Sequence, residues 1–184
     1  MMMGICGKQG SGKSTLTKLL LAKYNNSIYI DIDKIGHNIY NNNKVRKNIV
    51  KYFGDNIITN NKVNRKLLGN IVFNNKNQMD ILTNITWPYM EKSIDNIIKQ
   101  NTNKLIILDW QLLPKTKYFN LCDIKILLDI PYEIRKKRVI ERDKITNEYF
   151  DIRDRSSYNY DNLDFDYIIK ETNINKIKKW VKKL

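Results

Sequence analysis

Residues 7–15, Gly-Lys-Gln-Gly-Ser-Gly-Lys-Ser-Thr, constrain this chain more than any other stretch. Gly7, Gly12, Lys13 and Ser14 satisfy the spacing G-x-x-x-x-G-K-[ST], and Gly10 adds a glycine inside the loop. Such a loop is a phosphate cradle: inward-turned backbone N–H groups need residues that accept positive φ and admit a ligand close to the backbone. Lys13 supplies a point charge for the β- and γ-phosphates and Ser14 a hydroxyl for Mg²⁺. The helix that starts here adds its positive end. Context supports the motif, since an apolar strand precedes it and Leu16, Leu19, Leu20 and Ala22 follow at helical spacing. A glycine-rich turn without a ligand would not require that order.

A chain of 184 residues suits one α/β domain with room for an inserted subdomain. Its 42% hydrophobic and 10% aromatic content exclude disorder as a whole. No uninterrupted apolar run reaches membrane-spanning length, and the first strand begins almost at once, which leaves no room for a signal peptide. A cytoplasmic protein is the expectation. Cys6 and Cys122 lack metal-ligand spacing and end or begin apolar runs, so both read as reduced, largely buried residues.

The net charge of +14 raises the question of nucleic acid. The lysines are scattered from end to end, in a chain crowded with Asn, Lys, Ile and Tyr. Codon bias combined with nucleotide substrates accounts for this better than a nucleic-acid surface.

Further along, Ser27–Ile30 reads as a second strand that delivers Asp31 and Asp33 to its C-terminal end. In an open α/β sheet that end faces the ligand crevice, so both carboxylates are expected beside the phosphate loop. Asp33 also suits the N-cap of a helix over Lys34–Tyr40. Helices are predicted over Lys44–Phe53, Asn64–Phe73 and Lys76 to about Gln100, with Pro88 kinking the last or marking a helix start. The Asn-Asn runs read as loop filler. Leu105–Leu108, Ile124–Leu128 and Tyr167–Ile169 read as buried strands, and a C-terminal helix follows from Asn173. Pro131–Arg142 reads as a helix with proline in its first turn. With Arg135, Lys136, Lys137, Arg138 and Arg142 here, and Arg153 and Arg155 beyond, the segment reads as a lid that closes over ATP. The lone histidine, His37, reads as a surface group, and Trp87, Trp110 and Trp180 as core or pocket-wall aromatics.

In this order the pieces resemble the dephospho-coenzyme A kinase family. Asp31-Ile32-Asp33-Lys34-Ile35 is similar to that family's Asp-Ala-Asp-x-Ile. Phe53-Gly54 with Asn64-Arg65-Lys66-Leu67-Leu68 and Phe73 is similar to its Phe-Gly … Asp-Arg-x-x-Leu … Phe. Asp109-Trp110-Gln111-Leu112-Leu113 resembles Asp-x-Pro-Leu-Leu, and Arg138 to Asp143 resembles the Arg-x-x-x-Arg-Asp lid entry. Asp166-Tyr167-Ile168-Ile169 resembles the late Ala-Asp-Tyr-Val-Ile. Departures gather around the acceptor: Trp87 stands for His, Gln111 for Pro, Lys115 for Glu and His37 for Arg, with Ser157 for Gln and Glu171 for Asn elsewhere.

The resemblance implies a P-loop NTPase fold, with a five-stranded parallel sheet flanked by helices. It also implies a helical substrate-binding insertion over residues 60–100 and a lid over residues 138–157. The implied reaction transfers the ATP γ-phosphate to the ribose 3′-hydroxyl of dephospho-coenzyme A, the small-molecule substrate. ATP would be held by Gly7, Lys8, Gln9, Gly10, Ser11, Gly12, Lys13, Ser14, Thr15 and Arg142. Asp33 would be the general base, with Lys13, Arg138 and Arg142 as the other catalytic groups. Asp31, Asp33, Arg65, Trp87, Asp109 and Leu112 would meet the acceptor. Mg²⁺ would bind Ser14, with Asp31 and Asp33 acting through water. A monomer or weak homo-oligomer is expected, without membrane or nucleic-acid partners. The alternatives are a kinase of a nucleoside or nucleoside monophosphate and a nucleotide-dependent RNA-binding protein. The second lacks a guanine-reading Asn-Lys-x-Asp segment and a basic stripe interleaved with aromatics.

Overall fold

The apolar runs form one parallel sheet in a computed structural model that describes residues 1–73 and 75–184. In chain order the elements are β1 (Met2–Cys6), α1 (Lys13–Lys23), β2 (Ser27–Asp31), α2 (Ile32–Asn38), α3 (Asn43–Phe53), β3 (Ile58–Thr59), β4 (Lys62–Val63), α4 (Arg65–Val72) and α5 (Lys76–Gln100). The chain continues through β5 (Leu105–Asp109), α6 (Lys117–Leu121), β6 (Ile124–Leu128), α7 (Tyr132–Asp143), α8 (Asn147–Arg155), β7 (Tyr167–Ile169) and α9 (Ile174–Lys183). Two compact units result: Met1–Asp31 with Asn101–Leu184, and Ile32–Gln100.

The first unit holds the sheet, in the order β2-β5-β1-β6-β7 with every pair parallel. β1 is central, and its Met3 and Ile5 enter a core with Leu105, Ile107, Ile126, Leu128 and Ile169. Leu16 and Leu20 of α1 and Val181 of α9 cover this face. Each such side chain contributes about 1.5–3 kcal/mol by leaving water. Ala22 is exposed, so it does not belong to the apolar stripe that the spacing suggested.

The second unit packs α5 against α2, α3 and α4. Val45, Ile49 and Phe53 are buried at four-residue spacing on α3, and Leu82, Ile85, Met90 and Ile94 are buried along α5. α5 runs through Pro88 unbroken, so that proline does not start a helix. α2 begins at Ile32 and ends at Asn38, which puts Asp33 inside its first turn and not at the N-cap of a helix reaching Tyr40. Pro131, likewise, precedes α7 as its cap.

The asparagine runs are structural. Asn42 accepts from the N–H groups of Lys44 and Val45 to open α3, and Asn64 accepts from Lys66 and Leu67 to open α4. Asn60 and Asn61 both take positive φ, 50° and 59°, in the two-residue turn of the antiparallel β3–β4 hairpin.

Candidate active site

The phosphate loop leaves the C-terminal end of β1 and runs into α1. Gly12 caps α1 at φ 97°, no side chain caps this end, and no acidic residue lies in its first turn. By contrast, α3, α4, α6, α8 and α9 each open on an Asn or Thr side chain that accepts their first N–H groups. The start of α1, with its positive end and no side-chain cap among the described residues, therefore suits an anion. A Cβ at Gly12 would meet nothing within 4 Å, which leaves the space above the loop open. Lys13 Nζ donates to the Gly7 carbonyl at 2.8 Å, which holds the ammonium against its own loop. Ser14 and Thr15 are exposed, and Lys8, Gln9 and Gly10 are half-buried. The buried Ser11 hydroxyl has no hydrogen-bond partner among the described residues.

The exits of β2 and β5 place two carboxylates side by side. Asp31 is in register with Asp109, and paired residues of parallel strands, about 4.8 Å apart, project to one face. Asp109 is 6% exposed and accepts from the Thr17 hydroxyl of α1 at 3.4 Å. Trp110 N–H donates to the Ile5 carbonyl, and Leu112 lies half-buried two residues on. Beside the loop, burial pushes the Cys6 thiol far up, a shift opposed by the Lys13 charge, so Cys6 stays a neutral wall of the site.

The arginines divide by role. Arg138 is half-buried and donates to the Gly10 carbonyl of the phosphate loop and to the Thr172 carbonyl after β7, each at 3.4 Å. Arg142 forms a two-point pair with Asp143, at 2.6 and 2.9 Å, and that hydrogen bonding holds the Asp143 carboxyl below its ordinary range. Gln9 of the phosphate loop also donates to Asp143, at 3.2 Å. Arg135 is buried and spent inside the protein: it donates to the Ile130 and Gln9 carbonyls and pairs with Asp154 of α8. Lys136 pairs with Asp151. The run of cations is thus partly the means of docking α8 on α7.

Asp33, Arg65 and Trp87 belong to the second unit. Asp33 is exposed in the first turn of α2, and Arg65 is exposed at the start of α4. Burial raises the Tyr40 hydroxyl's pKa, opposed by the charge of Arg65. Trp87 is half-buried and its indole N–H donates to Glu91 one turn on. His37 is exposed.

Tyr160 escaped the sequence reading. Its hydroxyl accepts from the Gly7 N–H at 3.1 Å and donates to the Gln111 carbonyl at 2.9 Å. A signal existed in the aromatic spacing Tyr158, Tyr160 and Phe165 within an otherwise polar stretch. Lys115, one of the departures, lies over the Tyr158 ring at 5.8 Å.

A family model described as CoaE, dephospho-CoA kinase, matches residues 1–162. A dephospho-CoA kinase of Fusobacterium nucleatum is 36% identical over 149 residues, covering 80% of this chain and 76% of that protein. Another, from Prochlorococcus marinus, is 34% identical over 153 residues, with 79% of this chain and 74% of the relative covered. Among solved structures, a dephospho-CoA kinase from Campylobacter jejuni matches with a TM-score of 0.62 at 28% identity, over 99% of this chain and 94% of that one. With its phosphate loop at the exit of a central parallel strand and matches of this extent, the chain belongs to the dephospho-CoA kinase family.

Proposed function

We propose that this chain transfers the γ-phosphate of ATP to the ribose 3′-hydroxyl of dephospho-CoA, the last step of coenzyme A synthesis. The observation that carries the reading is the uncapped start of α1 behind an open glycine loop, with Lys13 held against it and Asp31 and Asp109 on the neighbouring strand exits. The loop amides and Lys13 hold the ATP phosphates. Mg²⁺, when bound, neutralises phosphate charge, and Ser14 with Asp31 and Asp33 is the donor set that would hold it and its waters. Asp33 accepts the proton of the 3′-hydroxyl as its oxygen bonds to the γ-phosphorus. The bond to the β–γ bridging oxygen breaks, and ADP leaves. Arg138 and Arg142 spread the charge of the transferring group, for which Arg142 exchanges Asp143 for phosphate. Arg65, Trp87, Asp109 and Leu112 meet the acceptor.

In this reading residues 60–100 embrace the pantetheine arm and residues 138–157 close as the lid. The enzyme works in the cytoplasm as a monomer or weak homo-oligomer. Asp33→Asn tests the base: turnover is expected to fall at least about 100-fold with ATP affinity kept. Undiminished turnover would remove Asp33 from that role. A second reading, a kinase of another small hydroxyl acceptor, is favoured by Trp87, Gln111 and Lys115, and a panel of nucleosides and nucleotides separates the two.

A further inference from the structure

β1 and β5 run side by side as far as the bond from Trp110 N–H to the Ile5 carbonyl, and beyond it their chains part. One becomes the phosphate loop at Gly7 and the other the Gln111–Leu112 segment. Into this fork comes the Tyr160 hydroxyl, from the stretch that follows α8. It takes the Gly7 N–H and gives its own proton to the Gln111 carbonyl, so a side chain joins the two strand exits where backbone bonding ends. The ring is anchored independently, edge-on to Tyr158 at 5.3 Å and to Phe165 at 6.1 Å, while Phe165 meets Phe119 at 5.5 Å. Burial raises the pKa of the Tyr160 hydroxyl, which stays protonated and able to donate at any working pH.

We propose that Tyr160 is a positioning residue that transmits occupancy of the phosphate loop to the 110–113 segment facing the acceptor. A nucleotide that orders the loop fixes the Gly7 N–H, hence the hydroxyl, hence the Gln111 carbonyl, and Leu112 follows. The inference deepens the kinase reading and rests on it for the identity of the acceptor only. It also gives Gln111 a role that its side chain does not explain, because the contact is made through the main chain.

Tyr160→Phe keeps the ring and its neighbours and removes both hydrogen bonds. Hydrogen exchange is measured on the full chain with and without Mg²⁺ and the non-hydrolysable analogue AMP-PNP. In the parent chain the analogue is expected to protect residues 7–14 and residues 110–113 together. In Tyr160→Phe it protects residues 7–14 alone. Tyr158→Phe, which keeps the ring cluster, should behave as the parent. In steady state Tyr160→Phe should raise the KM for dephospho-CoA about tenfold with kcat held within about threefold, the size expected from one or two lost hydrogen bonds. Equal protection of residues 110–113 in the parent and in Tyr160→Phe would overturn the proposal. So would a uniform loss of kcat with KM unchanged. The exchange arm needs no acceptor, so a parent chain that leaves dephospho-CoA unphosphorylated sinks the kinase reading while the exchange result still decides the role of Tyr160.

Discussion

Gly10 and Gly12 share a positive φ, 81° and 97°, but for different reasons. A Cβ at Gly10 would lie 2.7 Å from the Arg135 carbonyl and 2.8 Å from Val139, so this glycine lets α7 close on the loop. At Gly12 the same atom would enter open space among the described residues, which the proposed reaction assigns to the phosphate chain. The two alanine variants should therefore fail differently. Gly10→Ala combines backbone strain of about 1–2 kcal/mol with a collision and should lower the melting temperature most. Gly12→Ala carries the strain alone and should lose chiefly ATP affinity, by about tenfold or more. Calorimetric melting and nucleotide titration of both variants check this, and the reverse ranking would contradict it. The glycines were legible in the sequence because few other residues tolerate such a backbone. Tyr160 and Thr17 were not, since each acts on a partner at least 49 residues away and no local pattern announces a long-range hydrogen bond.

α8 illustrates what an element can hide. Its arginines and those of α7 read as a closing lid, and the segment's cationic character is real. Yet the interface between the two helices is built on Arg135 and Asp154, whose side chains are 5% and 10% exposed, with Phe150 fully buried near Tyr132. Removing one partner of so buried a pair leaves an uncompensated charge, which costs about 3–5 kcal/mol. Arg135→Ala should lose stability of that order in urea unfolding, and Arg135→Met with Asp154→Leu should recover much of it. A loss below about 1 kcal/mol would show the pair to be incidental. The five strands of the sheet and the longer helices were readable from apolar runs and spacing, because burial on one face repeats at a fixed period, whereas the short β3, β4 and α6, and the largely polar α8, were not. Helix starts were less readable: Asn42 and the Asn60–Asn61 turn read as filler, because an asparagine's role as cap or turn is set by the backbone around it.

At the scale of the whole molecule, the buried thiols tie stability to alkaline pH. Burial pushes Cys122 from 9.0 up to about 12, and Cys6 moves in the same direction, first through burial and then through Cys122. In the unfolded chain these thiols ionise near their ordinary value, while the folded chain keeps the protons. The folded state thus binds more protons above pH 9, and stability must fall as pH rises, by about 1.4 kcal/mol per pH unit for each thiol fully ionised on unfolding. Urea unfolding between pH 8 and pH 10.5 should show this decline, and Cys122→Ala should reduce its slope. A flat profile would contradict the shifts. Both cysteines were read correctly as reduced core residues, since they bound apolar runs and lack ligand spacing.

The fold followed from sequence because five short apolar runs and a glycine loop leave a parallel sheet few alternatives. The acceptor does not follow in the same way, since Trp87, Gln111 and Lys115 depart from the family pattern that the sequence otherwise resembles. The most direct measurement is steady-state ADP release from Mg²⁺-ATP with and without dephospho-CoA, with the product mass determined. ADP release is expected to depend on dephospho-CoA, with a product heavier than dephospho-CoA by one phosphate. ATP binding without any stimulation by dephospho-CoA, and with no gain in its mass, would contradict it.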